Sequence, residues 1–342
     1  MSFVLVLGFI SCGGQQSASE PIKLRLMTHD SFDISQETMT AFAEQTGVEV
    51  EIFKAGDAGA VVNKAVLAKD DPLADVIYGI DNTFLSRALD SNIFIPYESG
   101  NLSQVNQSLR LDPENGAVPV DFGDVCLNYD KAWFADRELE APEDLDSLIA
   151  PAYKGLTVVE NPATSSPGLA FLLATISQYG ESGYLEYWQM LVNNDVLVTD
   201  GWEEAYYGSF TAASDGDRPI VVSYASSPPA EVFFAEASLE AAPTAAVVSD
   251  LSCFRQIEFA GILRGTEYEK EAQQLIDFML QRTFQEDIPL HMFVYPANES
   301  AQLPDVFEKF SVTPRVPATI PPQDIAANRE SWVEAWTDVV LR

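Results

Sequence analysis

Hydrophobic and polar positions along the chain follow two rhythms in turn, and the switches between them lay out the elements. "KLRLMTHDSFD" starts as a strand and ends in a polar turn from Thr28 to Asp33. "SQETMTAFAEQTG" then reads as a helix, with Met39, Phe42 and Ala43 on one face and Gly47 as its stop. "VEVEIF" alternates strictly, as a half-exposed strand does, and "KAGDAGA" turns into the helix "AVVNKAVLA". "ADVIYGID" reads as a buried strand ending at Asp81, followed by the helix "NTFLSRALDSNIF". Strand alternating with helix predicts an α/β lobe with a mainly parallel sheet.

The same rhythm returns further on. "LTVVE", "DVLVT" and "PIVVSY" read as strands, each followed by a turn ("NPATSSPG", "DGW", "ASSPP") and a helix ("LAFLLATISQYG", "EEAYYGSFTAA", "AEVFFAEA"). Three such units in a row predict a second α/β lobe, and 342 residues are more than one core usually carries. Two strands border this lobe, "DVCLNYD" and "SCFRQIEFAGIL", and are read as crossing between the lobes. The tail holds the helix "EKEAQQLIDFMLQRTFQ", then "IPLHMFVYP", a Pro-rich connection and a last helix, "NRESWVEAWTDVVL", whose Trp332, Trp336, Val339 and Val340 share a packing face.

Charge narrows the range of partners. With 52 acidic against 19 basic residues the net charge is −33, which excludes a nucleic-acid footprint and disfavours an anionic membrane surface. It would concentrate a cationic ligand, although most of the carboxylates can equally serve solubility. The start, "MSFVLVLGFISCGG", has a short apolar run from Phe3 to Ile10 and a lipobox-like end at Cys12. Residues 1–11 are therefore read as a signal peptide, Cys12 as a lipidated first residue, and 12–21 as a flexible tether, even though no Lys or Arg precedes Cys12. Cys126 and Cys253 remain, an even pair that suggests a disulfide in an exported protein, with two buried thiols as the alternative.

Ligands of open α/β sheets sit beyond the carboxyl ends of the strands, which selects the turns. "SSP" occurs at Ser165-Ser166-Pro167 and at Ser226-Ser227-Pro228, each before a helix; the pattern suits helix initiation and also suits an anion or hydroxyl site. Asp57 and Asp81 end comparable strands or turns in the first lobe, as helix caps or as partners for a cation. Trp202, Tyr224 and Phe293 supply aromatic faces. The mix suits a flat, positively charged heteroaromatic with a polar or phosphorylated arm.

The ordered set "LRLMTHDSF", "ADVIYGIDN", "VPVDFGDVCLNYDK", "NPATSSPGLAFLL", "TDGWEEAY", "VVSYASSP" and "IPLHMFVYP" resembles the periplasmic thiamine-binding proteins, the substrate-binding subunits of bacterial thiamine ABC importers. The resemblance runs from about Leu24 to the C-terminus. It implies a two-lobed type II periplasmic substrate-binding fold, α/β, with a mixed, mainly parallel sheet in each lobe and hinge strands between them. The expected division is 22–124 plus about 255–297 for lobe 1 and 125–254 plus about 298–342 for lobe 2. It implies ligand contacts at Asp57, Ser165, Ser166, Trp202 and Tyr224, with backbone N–H groups near Ala58 and Gly59; His29, Asp81 and Phe293 complete the expected site, with Asp30 in support. His29, Phe293 and Ala230 stand where enterobacterial members carry Tyr, Trp and Tyr, so the expected aromatic cage is thinner.

The resulting expectation is an extracytoplasmic receptor, monomeric and lipid-anchored, that captures thiamine or its phosphates and docks on a membrane permease. No catalysis, cofactor or metal is expected. Three alternatives compete. Adjacent Tyr206 and Tyr207 suit a ferric-iron carrier, although neighbouring helical side chains diverge by about 100°. A polyamine carrier fits the acidity. A thiamine-degrading enzyme would need Cys126 as nucleophile, with Glu258 to assist. Within "TDGWEEAYYGSF", Trp202 is read as the stacking face, Tyr206 as a supporting residue and Tyr207 as core.

Overall fold

The computed structural model describes residues 21–56, 58–235 and 237–342. Its strands are β1 (Ile22–Thr28), β2 (Val48–Lys54), β3 (Val76–Asp81), β4 (Phe94–Ile95), β5 (Val118–Asp130), β6 (Thr157–Glu160), β7 (Leu197–Thr199), β8 (Ile220–Tyr224), β9 (Thr244–Val247), β10 (Phe254–Leu263) and β11 (Tyr295–Pro296). Among the described residues they form one sheet whose main path runs β2-β1-β3-β10-β5-β8-β6-β7. At one end β2, β1 and β3 are parallel; at the other β8, β6 and β7 are parallel. Between them β10 and β5 run antiparallel to each other and to their outer neighbours.

Two hydrophobic cores divide this sheet. One gathers Leu24, Val76, Ile80, Val118, Val120, Ile257, Phe259 and Ile276; the other gathers Val125, Leu127, Val159, Leu172, Trp188, Val222, Phe254 and Trp336. The changeover falls inside single strands. On β5 it lies between Val120 and Val125, and on β10 between Phe254 and Ile257. Both strands therefore cross from one core to the other side by side, with Phe254 opposite Val125 and Glu258 opposite Asp121. The β5–β10 ladder slips between Glu258 and Phe259, and the β10–β3 ladder slips one residue on. Bulges of this kind re-aim side chains. A disulfide joins Cys126 and Cys253 at the crossing, as the two remaining cysteines suggested.

Local chemistry explains most element ends. Ser35 caps the helix Gln36–Thr46 by accepting from Thr38 N, and Gly47 ends it in the left-handed region. Ser165 caps the helix Ser166–Asn193 by accepting from Gly168 N. That helix was expected to stop at Gly180. Gly180 does break it, at φ 72° and ψ 171°, but the chain resumes helical winding to Asn193 because Tyr184, Tyr187, Trp188 and Leu191 have the second core to pack on. The expected helix after Trp202 is also different. One turn, Trp202–Glu204, passes into a π-helical turn, Ala205–Ser209, and stops at fully buried Phe210. No helix among the described residues is long and apolar enough to cross a membrane.

Candidate functional site

The carboxyl ends of the parallel strands in the two cores lead into the turns that the sheet rule selects. In the first core these ends are Thr28, Lys54 and Asp81; in the second they are Glu160, Thr199 and Tyr224. The crossing strands β5 and β10 lie between, and place Asp121, Gln256 and Glu258 there.

A hydrogen-bonded floor forms on the first-core side. His29 Nε2 lies 3.2 Å from Glu258 Oε1. The imidazole packs directly over Gly79, where an added Cβ would fall 2.1 Å from His29 Cδ2, so only glycine leaves it room. The Tyr78 hydroxyl donates to Asp121 and lies 3.3 Å from Glu258 Oε2. Asp81 is fully buried and receives Thr83 N at 2.7 Å, the Thr83 hydroxyl at 2.5 Å and Gln256 Nε2 at 2.9 Å. Gln256 in turn accepts from the Tyr224 hydroxyl at 3.4 Å, which links the floor to the second core.

Burial and charge set the protonation of this floor. Burial pushes Asp81 above the usual carboxylate range, and the Thr83 and Gln256 donors oppose it. Burial and the Glu258 charge push Asp121 well above that range, and the Tyr78 hydrogen bond opposes them. Burial would likewise raise Glu258, but His29 and the hydrogen bonds from Asp121 and Tyr78 bring it below the ordinary glutamate value. Burial alone would lower His29, yet the Glu258 and Asp81 carboxylates raise it.

An aromatic wall forms on the second-core side. Trp202 stacks on Tyr206 with ring centroids 4.8 Å apart, and its indole N–H donates to Ser223 Oγ at 2.9 Å. Ser223 and Ser227 share a 2.8 Å hydrogen bond, and Ser227 Oγ accepts from Tyr224 N at 3.3 Å. The Tyr224 ring lies against Gly123, where a Cβ would be 3.2 Å from Tyr224 Cδ1. The Tyr206 hydroxyl donates to Glu231, which also accepts from Thr244. Tyr207 departs from expectation: it is 61% exposed and meets Trp202 and Tyr206 edge-on. Helical spacing accounts for this: Trp202, Ala205 and Tyr206 share the packed face, and position 207 lies about 140° round the helix from Trp202.

The other expected residues fall as follows. Ser165 is nearly buried at its helix cap, and Ser166 begins that helix. Of the second serine pair, Ser226 makes no side-chain cap bond, and Ser227 bonds back to the wall. Ala58 and Gly59 open the helix Ala58–Leu67. Asp30 accepts from Gly56 N at 3.0 Å. Phe293 sits at φ 54° and packs with Phe233, Phe234 and Phe307, at centroid distances of 5.8, 5.0 and 6.2 Å. Asp57 and Cys12 lie outside the described residues.

Several participants had been passed over. Tyr78 and Asp121 read as ordinary strand positions, and Gln256 as a polar residue in a hinge strand. Glu160 is fully buried with neither carboxylate oxygen hydrogen-bonded, and burial pushes it well above the usual range. A charged residue closing an apolar run, as in "LTVVE", was the available signal. The Cys126 thiol is spent in the disulfide, and Glu258 is paired with His29 instead. Among the described residues no group of three or more His, Cys, Asp or Glu is arranged to hold a metal ion.

Comparison with known proteins bears on this site. A family model described as bacterial extracellular solute-binding protein matches residues 71–325. The thiamine-binding periplasmic protein of Brucella melitensis biotype 1 is 30% identical over 348 residues, covering 98% of this chain and 97% of its own. A solved periplasmic thiamin binding protein superposes with a TM-score of 0.77 at 28% identity, over 94% of this chain and 96% of the other. The apo ferric ion-binding protein A of Pasteurella haemolytica reaches a TM-score of 0.74 over 93% and 97% of the two chains, but at 18% identity, which is a likeness of fold.

Proposed function

The chain belongs to the bacterial extracellular solute-binding protein family and has the two-lobed type II periplasmic fold; on that footing we propose that it captures thiamine, or a thiamine phosphate, between its lobes. It then delivers the ligand to the permease of an ABC importer. The reading takes residues 22–124 with about 255–297 as one jaw and 125–254 with about 298–342 as the other. One observation carries it. An aromatic wall built on Trp202 and Tyr224 stands beside a carboxylate floor built on Asp81 and Glu258, across the two hinge strands. A flat organic cation satisfies both surfaces at once.

In this reading Trp202 and Tyr224 give ring faces, and Glu258 and Asp57 balance the thiazolium charge or accept from the aminopyrimidine. Asp81 orients the floor through Gln256. Ser165, Ser166 and the N–H groups near Ala58 and Gly59 hold the hydroxyethyl or phosphate arm. Phe293 acts through its packing on Phe233 and Phe234, which closes the rim of the cleft. Cys12 anchors the protein, as a monomer, to the outer face of the membrane, which mass analysis of the mature N-terminus tests. A ferric-iron role finds less support, because the Tyr206 hydroxyl is taken by Glu231 and Tyr207 points outward.

Calorimetry with thiamine, its monophosphate and its diphosphate, with Trp fluorescence in parallel, tests the reading. One-to-one binding that is lost in Trp202→Ala supports it. No heat with any thiamine form, together with a visible colour on adding ferric citrate, overturns it.

A further inference from the structure

We propose that His29 is a displaceable counter-ion: its imidazolium rests on Glu258 until a cationic ligand takes over that carboxylate, and capture releases the His29 proton to solvent. The inference rests on the reading of the ligand as a cation.

The geometry singles out this pair. Asp81 and Asp121 are fully buried, whereas the His29 and Glu258 side chains are 12% and 16% exposed. Glu258 is therefore the floor carboxylate that a molecule in the cleft can reach. Asp81 is compensated by neutral donors, Thr83 and Gln256. Asp121 receives the Tyr78 hydroxyl, and burial with the Glu258 charge raises it well above the usual carboxylate range. Glu258 is the carboxylate whose compensation is a cation, at 3.2 Å.

The groups facing His29 are few and can be named from each neighbouring element. β10 contributes Glu258 and β3 contributes Tyr78 and Asp81, while Asp121 of β5 lies behind Tyr78. Lys54, at the end of β2, opposes the imidazolium, but its Nζ donates to the Asp30 carbonyl at 2.9 Å. Arg255 is held by Asp124 through bonds of 2.8 and 2.7 Å. Gly79 and Tyr78 fix the ring over the strand, so His29 has little room to carry its charge elsewhere.

A ligand cation against Glu258 removes the stabilising charge from His29 and adds a like charge beside it. Both changes favour the neutral imidazole. The N–H bond of the imidazolium breaks, its proton goes to the buffer, and the ring nitrogen left behind becomes a hydrogen-bond acceptor. The sign follows from linkage. His29 is raised ahead of capture and lowered after it, so between the two values the complex holds fewer protons and affinity increases with pH, by up to about tenfold per pH unit for one proton.

The test is calorimetry of the protein with thiamine near neutral pH in buffers of differing ionisation enthalpy, alongside NMR of the imidazole nitrogens. The protein has two histidines, His29 and His291, so the second readout is simple to assign. The expected result is a buffer-dependent enthalpy that reports net proton release, up to about one per ligand bound. His29→Asn should reduce that release to the ligand's own contribution, and the His29 signal should pass from imidazolium to imidazole on binding. Thiamine binding with no buffer dependence, or with the same release in His29→Asn, overturns the inference and leaves the thiamine reading standing. An absence of thiamine binding in every buffer overturns both.

Discussion

Replacing Cys126 and Cys253 together by serine should remove a large share of the protein's stability. The bridge closes a loop of 127 residues, for which chain entropy gives about 4.9 kcal/mol at 25 °C. Its position favours full expression of that value. Both sulfurs are fully buried, packed with Ala225, Ala246 and Val248, at the point where β5 and β10 pass between the cores. Without it, the second-core halves of those strands are joined only through the sheet ladder and the chain itself. The substitution adds a smaller polar penalty. A hydroxyl at 253 would have the Val247 carbonyl, 3.2 Å from Cys253 Sγ, as acceptor, and one at 126 would have the Asp124 carbonyl, 3.5 Å away. Each should then cost about 1 kcal/mol or less. Urea unfolding of the oxidised protein, the reduced protein and the double variant separates the two contributions, because reduction introduces no hydroxyl. The expected loss is ~4–5 kcal/mol on reduction and slightly more in the variant. A loss below about 1 kcal/mol in both, with the bridge verified by mass in the oxidised sample, would refute the loop-entropy reasoning.

Other outcomes follow from the site. Trp202→Ala should weaken thiamine by ~2 kcal/mol, about thirtyfold, and Trp202→Phe by less, read by calorimetry; equal losses would show that the ring face is not what matters. Glu160→Gln should gain stability relative to the parent as pH rises. The folded-state carboxyl is raised, so the native state binds the extra proton above the unfolded value and parental stability falls through that window; parallel urea curves across pH check it. Gly79→Ala should displace the His29 ring and combine that clash with strain at φ 85°, abolishing pH-dependent binding before it abolishes folding, which titration at two pH values would reveal. Arg255→Ala should destabilise by ~3 kcal/mol or more, because Asp124 is fully buried and loses its bidentate partner; urea unfolding that left the midpoint unmoved would contradict this.

Much of the architecture was written locally. Strand and helix rhythms, the Ser165 cap, the stop at Gly47 and the turns after Asp81, Thr199 and Tyr224 depend on neighbours within a few residues, and such patterns survive in one dimension. The cysteine pairing was legible because Cys12 could be set aside, leaving one combination. The tertiary structure decided matters of another kind. His29 and Glu258 are 229 positions apart, and Tyr78 and Asp121 are 43 apart, so no local spacing connects them. Their protonation depends on burial and mutual charge, which exist only after β3, β5 and β10 have come together. Tyr207 was misjudged because its aromatic character was weighed above its spacing: the packed face holds Trp202, Ala205, Tyr206 and Phe210, and Tyr207 is exposed. Short-range periodicity thus determined which segments form strands, helices and turns. Which side chains meet, and what charge they carry, was left to contacts between segments far apart in the chain, where solvent is excluded and electrostatic interactions are strong.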